Sequence, residues 1–561
     1  TLTLGNASND AFTFNGGLTE NTSGTVTLAG SIDSSNDDIT FGAITLAAAT
    51  TIDTNATNTT GDITIGAVTG NNNNLTLDTT ASTGSADHTF TGDINLGSGA
   101  LSVIGDVVLG ANVSVTATGG ITFNDAINAD NATNSDRTLT LNSGTGSAIS
   151  VVGTIGNSQP LAGLTITQSN GTSFAGNVDV SDSDSGTITL TDTQDNILII
   201  FTDVVADNFV TAAQGYNLGL FGNATIANAV TFQNTGTLTL GNQTSDTFTF
   251  NGGVTENTSG TVTIHGAIVS SNDTISFGNI NLGQNLSVNS AGGAISIGTI
   301  TAASGSRDVT ITSSGGSANT VAVGAIGGSG NINTVAITSG TLTTLNGNIT
   351  TDNSSGNSVT LAGTTTNGTN ITIDTNNNSN DGAINIAAFS SSNNNLALDS
   401  GTADINLSGA AFNLGSGSLT TTGDINLAAN VSITATGGMT INNDIDADDS
   451  GNNRTLSLNS GTATMTFSGA IGSDEVLAGL TIAQSNGATF GSTVNAGTIT
   501  LTDTQDGSDI IFNGNVTATT FTTAAQGYDL ILNAGGTFTN AVTFQNTGTL
   551  TLGNASNDAF T

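Results

Sequence analysis

Apolar and polar residues alternate along this chain in runs of four or five, such as TVTL at Thr25, DITF at Asp38, DITIG at Asp62 and NLTLD at Asn74. Alternation with a period of two is the mark of a strand with one buried face. In TVTL, Val26 and Leu28 point one way while Thr25 and Thr27 point the other. The same reading predicts an inward row of Val26, Leu28, Ile39, Phe41, Ile44, Leu46, Ile63, Ile65, Leu75, Leu77, Leu238 and Leu240. Asn, Asp, Gly and Ser separate the runs, as turn formers do. Val26, Ile52, Leu75 and Leu101 are expected to open successive units about 23 to 26 residues apart, with Gly42, Gly66 and Gly92 as a second fixed point. Tight two-residue hairpin turns are scarce. Coiling the chain so that each unit stacks on the last gives parallel strands, a thin aliphatic interior and polar turns outside. One coil alone loses more conformational entropy than its few aliphatics return, so each coil relies on its neighbours.

Longer repeats organise the coils. Residues 1–13 read TLTLGNASNDAFT, and residues 549–561 read the same. A related stretch, TLTLGNQTSDTFT, begins at Thr237. The chain divides into module one (1–236), module two (237–548) and the start of a further module one (549–561). VSVTATGGITF from Val113 matches VSITATGGMTI from Val431, and NAVTFQNTGTLTLGN occurs at both Asn228 and Asn540. Module two is longer by about three units, placed around 286–370, an insertion that a solenoid absorbs as whole coils. The expectation is a slice of a continuous tandem array. No signal peptide and no initiating Met are present, as expected of such a slice.

Short T-h-T-h strands and Asn/Gly/Asp turns at this spacing resemble the shafts of filamentous-haemagglutinin-type adhesins. More broadly they are similar to the giant β-strand-repeat surface proteins of bacteria. The resemblance covers nearly the whole chain through pattern and composition. It implies a right-handed parallel β-helix, an all-β β-solenoid of about 22–26 residues per coil, exported to the cell surface or beyond. It also implies a structural role, as extracellular filament or as the shaft of an adhesin whose binding tip lies outside this segment. The secretion domain typical of that family is absent from this sequence, and the regular long duplication shifts the expectation towards a filament.

Composition narrows the alternatives. There are 3 Lys+Arg against 42 Asp+Glu, a formal net charge of −39, with 74 Gly, 1 Pro, no Cys and no Trp. Straight-chain polar helix formers are nearly missing, so helices are not expected. Nucleic acid requires a basic footprint and is excluded, and anionic lipid surfaces are disfavoured. No apolar run reaches the length of a membrane span. The expected partners are further copies along the fibre axis, divalent cations as counter-charge, and glycans, since N-x-S/T triplets such as those at Asn6 and Asn55 are common.

Candidate chemistry is sparse. Carbohydrate-active β-helices need clustered carboxylates with a Lys or Arg base, or paired acids at a groove. This chain has no Lys, and Arg137 and Arg454 fall at equivalent places in the two modules, as structural residues do. No enzyme is expected. His88 and His265 are the only histidines, and His265 stands where module one has Ala29, so neither zinc nor nucleophilic catalysis is indicated, and both are expected at the surface. Acidic turns are the one lead towards calcium. Asp446, Asp448, Ser450 and Gly451 read D-x-D-x-S-G, the opening of a calcium loop, but the twelfth position is Ser457 rather than Glu. The pair Asp192 and Asp195 recurs as Asp503 and Asp506, and Asp179, Asp182 and Asp184 form another acidic turn. No cofactor is required on this reading. Such Asp residues ordinarily bond to nearby backbone N–H groups.

Overall fold

A computed structural model describes residues 1–55, 61–79, 86–130, 137–181, 186–315, 319–328, 331–352, 356–377, 381–391, 393–449, 451 and 454–561. The chain is an all-β parallel β-solenoid whose stacked coils lie about 22 residues apart, with no α-helix among the described residues. Its contacts gather into two compact units, Thr1–Phe277 and Gly278–Thr561.

In the first unit each coil contributes to three parallel ladders. One runs through Leu2, Val26, Ile44, Val68, Ile94 and Val115. A second runs through Phe12, Ile32, Ile52, Leu77, Val103, Phe123, Val151, Phe174 and Phe201. The third holds Leu18, Ile39, Ile63, His88, Val107 and Ile127. The inward row predicted from alternation is buried throughout. Thr25 and Thr237 are exposed and Thr27 and Thr239 half-buried, so the strand register is as expected. A slip of one residue would have reversed every one of these positions.

The unit spacing differs from expectation at its start. Val26 pairs with Ile44, not Ile52, while Ile52 belongs to the second ladder and pairs with Leu77. The cause is the nine-residue strand Val26–Ser34, which serves two ladders by turning a corner. Its register shifts between Leu28 and Gly30, and Gly30 adopts φ +81, a left-handed conformation suited to glycine. Leu75 and Leu101 are true partners one coil apart. Gly42 and Gly66 do stack: Gly66 N–H donates to Gly42 O at 3.1 Å. A Cβ on Gly66 would lie 2.8 Å from that oxygen, which is why the position excludes a side chain.

In the second unit a ladder runs through Leu286, Val309, Val335, Val359, Ile384, Ile405, Ile425 and Ile445. Residues in 286–370 thus supply coils of the same kind as those that follow. Another passes Leu398, Thr421, Ile441, Phe467, Phe490, Phe512 and Leu532.

Aromatic rings stack along both interiors. In the first unit Phe174 and Phe201 lie 4.7 Å apart, with Phe209 5.8 Å beyond. In the second, Phe467, Phe490 and Phe512 form a nearly parallel stack at 4.9 and 4.6 Å, followed by Phe521 at 6.2 Å. The corners are closed by buried hydroxyls. Thr54 donates to Gly61 O at 2.6 Å, Thr79 to Ala86 O at 3.3 Å, and Ser400 to Ala403 O at 2.6 Å.

Candidate functional site

A stack of short strands leaves backbone N–H groups at its corners that the ladder does not use. Asn and Asp supply partners for them from the neighbouring coil. The rule is positional: the residue just before the first inward residue of a strand accepts from the N–H at the same place one coil on. Asn74 Oδ1 accepts from Ala100 N at 2.9 Å, Asp93 from Ser114 N at 2.8 Å, Asn112 from Thr138 N at 3.1 Å, and Asn217 from Thr237 N at 2.7 Å. In the second unit Asn348 receives Thr372 N at 2.9 Å, Asn395 receives Ser418 N at 2.9 Å, and Asn430 receives Thr455 N at 3.0 Å. These clamps explain a chain rich in Asn and Asp with almost no Lys or Arg, because carboxylates and carboxamides accept where cations cannot. None of these asparagines was singled out as functional from sequence. The available signal was an Asn or Asp directly ahead of each T-h-T-h run.

Where the clamp is a carboxylate in consecutive coils, like charges line up. Asp38 accepts from Asp62 N at 2.9 Å, Asp62 from Asp87 N at 3.1 Å, and Asp106 from Ala126 N at 3.0 Å. Asp87 pairs in register with Asp106. Burial, and then the charges of Asp62 and Asp106, push the Asp87 carboxyl above its ordinary range. Asp33, Asp53 and Asp78 form a second register row. Burial raises Asp53, and the charges of Asp78 and Asp33 add to it against the Asn55 N–H. In the second unit, burial and the Asp424 charge raise Asp404 in the same way.

The calcium candidates are engaged with protein donors. Asp446 Oδ1 accepts from Asp474 N at 3.0 Å and Glu475 N at 3.3 Å. The module-one counterpart, neutral Asn128, accepts from Ser158 N and Gln159 N at the same two distances. An amide thus makes the same bonds as this carboxylate. Burial raises the Asp446 carboxyl, offset by those two N–H bonds. Asp448 forms a two-pronged ion pair with Arg454, Nε to Oδ1 at 2.8 Å and Nη2 to Oδ2 at 2.9 Å. Asp130 and Arg137 make the same pair in module one, and Arg137 holds the Asp130 carboxyl below its usual range. Ser450, Asp182 and Asp184 lie outside the described residues. Asp192 accepts from Gln168 Nε2 at 3.1 Å and Asp195 from Gly215 N at 3.1 Å. Asp503 and Asp506 repeat this with Gln484 at 3.4 Å and Gly527 N at 2.8 Å. Among the described residues no three His, Asp or Glu side chains converge to hold a metal.

His88 corrects the surface expectation. It is fully buried, standing in the third ladder between Ile63 and Val107. A T-h-T-h register counts inward positions whatever residue fills them, and His88 fills one. The polarity of the residue had concealed this. His265 is half-buried.

Comparison with protein-family models, curated proteins and solved structures finds no match for this chain. The stacked parallel β-solenoid is that of a β-helix repeat protein. No helix among the described residues is long and apolar enough to cross a membrane.

Proposed function

We propose that this chain is a repeat segment of an extracellular fibre or cell-surface filament, bacterial in origin, whose function is extension and durability rather than catalysis. The observation that carries this reading is the recurrence of stacking contacts at matching places in the two modules. Asn128 makes the same bond as Asp446, Asp130 the same as Asp448, and Asp195 the same as Asp506. Each holds coil to coil or closes a loop. A chain that repeats its internal contacts in this way is built to be continued, and further copies along the axis are its natural partners. Divalent cations act in this reading as counter-charge on the aspartate rows, calcium included, and glycans as surface decoration.

The alternative is the shaft of a secreted adhesin with its binding tip elsewhere, for which the fold serves equally. Negative-stain images of the native assembly separate the two. Uniform fibres of constant width support the filament, and discrete stalks bearing terminal knobs support the adhesin. Turnover of a polysaccharide by the purified chain would overturn both.

A further inference from the structure

A titratable base is enclosed in the interior. His88 occupies a place in its ladder where the coil below has Ile63 and the coil above has Val107. At the matching ADINL stretch of module two the residue is Ile405, flanked by Ile384 and Ile425. Nε2 lies 3.0 Å from Ile104 O, which can only accept, so Nε2 carries the proton. Thr79 Oγ1 sits 3.2 Å from the same nitrogen and donates onward to Ala86 O. Nδ1 is buried without a partner. A second proton at Nδ1 would put a charge and an unmatched donor among aliphatic side chains.

We propose that His88 is an acid-operated latch, whose protonation opens the coil around residues 87–109 while leaving the rest of the stack closed. The surroundings favour this outcome on both sides of the equilibrium. Closed, the imidazole is held neutral chiefly by burial, against the pull of the Ile104 carbonyl and of Asp78, Asp106 and Asp125. Asp87 precedes it on its own strand, and Asp62 precedes Ile63 on the coil below. All are acids. Once the coil opens, an imidazolium meets carboxylates and water instead of Ile63 and Val107. The open state therefore binds a proton that the closed state refuses, and opening becomes easier as pH falls below about 6.5, the ordinary imidazole value. With that value for the open state and no proton bound when closed, the opening constant rises about tenfold between pH 7.5 and 5.5.

Among the neighbouring aspartates, Asp87 works in the opposite sense, since its raised carboxyl gains stability on acidification. They remain in place in a His88→Ile variant, which isolates the imidazole. Hydrogen exchange of the full 561-residue chain, corrected for intrinsic rates, is measured at pH 7.5 and 5.5. The expected result is a larger acid-induced loss of protection at residues 87–109 in the wild type than in His88→Ile, by about tenfold. Ile405→His is expected to transfer the same loss to residues 404–427. An equal response in wild type and His88→Ile would overturn the latch. So would an imidazole proton resonance of His88 that titrates near 6.5 while its coil stays protected.

Discussion

Phe490 allows the value of ring stacking to be separated from that of burial. It is 1% exposed and lies between Phe467 and Phe512, at 4.9 and 4.6 Å with interplanar angles of 5° and 7°. Its module-one counterpart, Phe174, is equally buried but stacks on one side only, against Phe201, because Val151 lies beneath it. Replacing either ring by Leu keeps the site apolar and removes a similar volume, a shared cost of about 1–2 kcal/mol. Ring pairs add about 0.5–1.5 kcal/mol beyond burial. Phe490→Leu loses two such pairs and Phe174→Leu one, so the variants should differ by a single pair. In exchange terms that is about two- to tenfold. A stack of coils opens locally, so no single midpoint describes it, and site-resolved hydrogen exchange is the suitable assay. Protection is read at Met465–Phe467, Ala488–Phe490 and Asp509–Phe512, and compared with Ile149–Val151, Thr172–Phe174 and Leu198–Phe201 in the other variant. Equal losses, or a larger loss for Phe174→Leu, would refute the claim that the second ring contact adds stability.

Further outcomes are expected at three positions. Gly66→Ala should reduce hydrogen-exchange protection at Ile39–Phe41 and Ile63–Ile65, costing about 1–3 kcal/mol, because its Cβ meets the Gly42 backbone rather than a movable side chain. Asp62→Ala should lose about 1 kcal/mol by freeing the Asp87 N–H, measurable as local exchange. Asp62→Asn should retain the bond and relieve the charge beside Asp87, so it should be at least as stable as wild type. Asp404 bears on pH without a nearby histidine: its folded carboxyl is raised above 3.8, so the folded state holds more proton than the unfolded one. Its coil should therefore gain protection as pH falls from above that raised value towards 3.8, and Asp404→Asn should remove the gain.

The fold was largely legible because alternation marks an inward side directly, as at Leu75 and Leu77. What alternation does not mark is a corner inside a strand. Val26, Leu28 and Ile32 read as one run plus a stray residue, while Gly30 had already turned the chain onto a second ladder. The clamps were hidden for a related reason. An Asp at the edge of a strand looks like a local turn former, and Asp53, which ends its strand, does bond to Asn55 N at 2.8 Å. Asp38, Asp93 and Asp195 instead reach the next coil, a contact defined by register rather than by neighbours in sequence. His88 was misplaced because polarity was allowed to outweigh position.

The hydroxyl that closes a corner at Thr79 and at Ser400 has a consequence for how such a chain measures length. Thr79 and Ser400 hold matching corners, yet the carbonyls they grip are seven and three residues away. Beyond both, the next strand resumes its place, with Asp87 opposite Asp106 and Ile405 opposite Ile425. The difference in length at this corner therefore leaves the register of the following strands unchanged. Contour length is set by the number of coils, at about 4.8 Å each, and not by the number of amino acids. A gene of this kind can drift by a few codons at a corner without lengthening what it encodes, and lengthens it only by duplicating a whole coil.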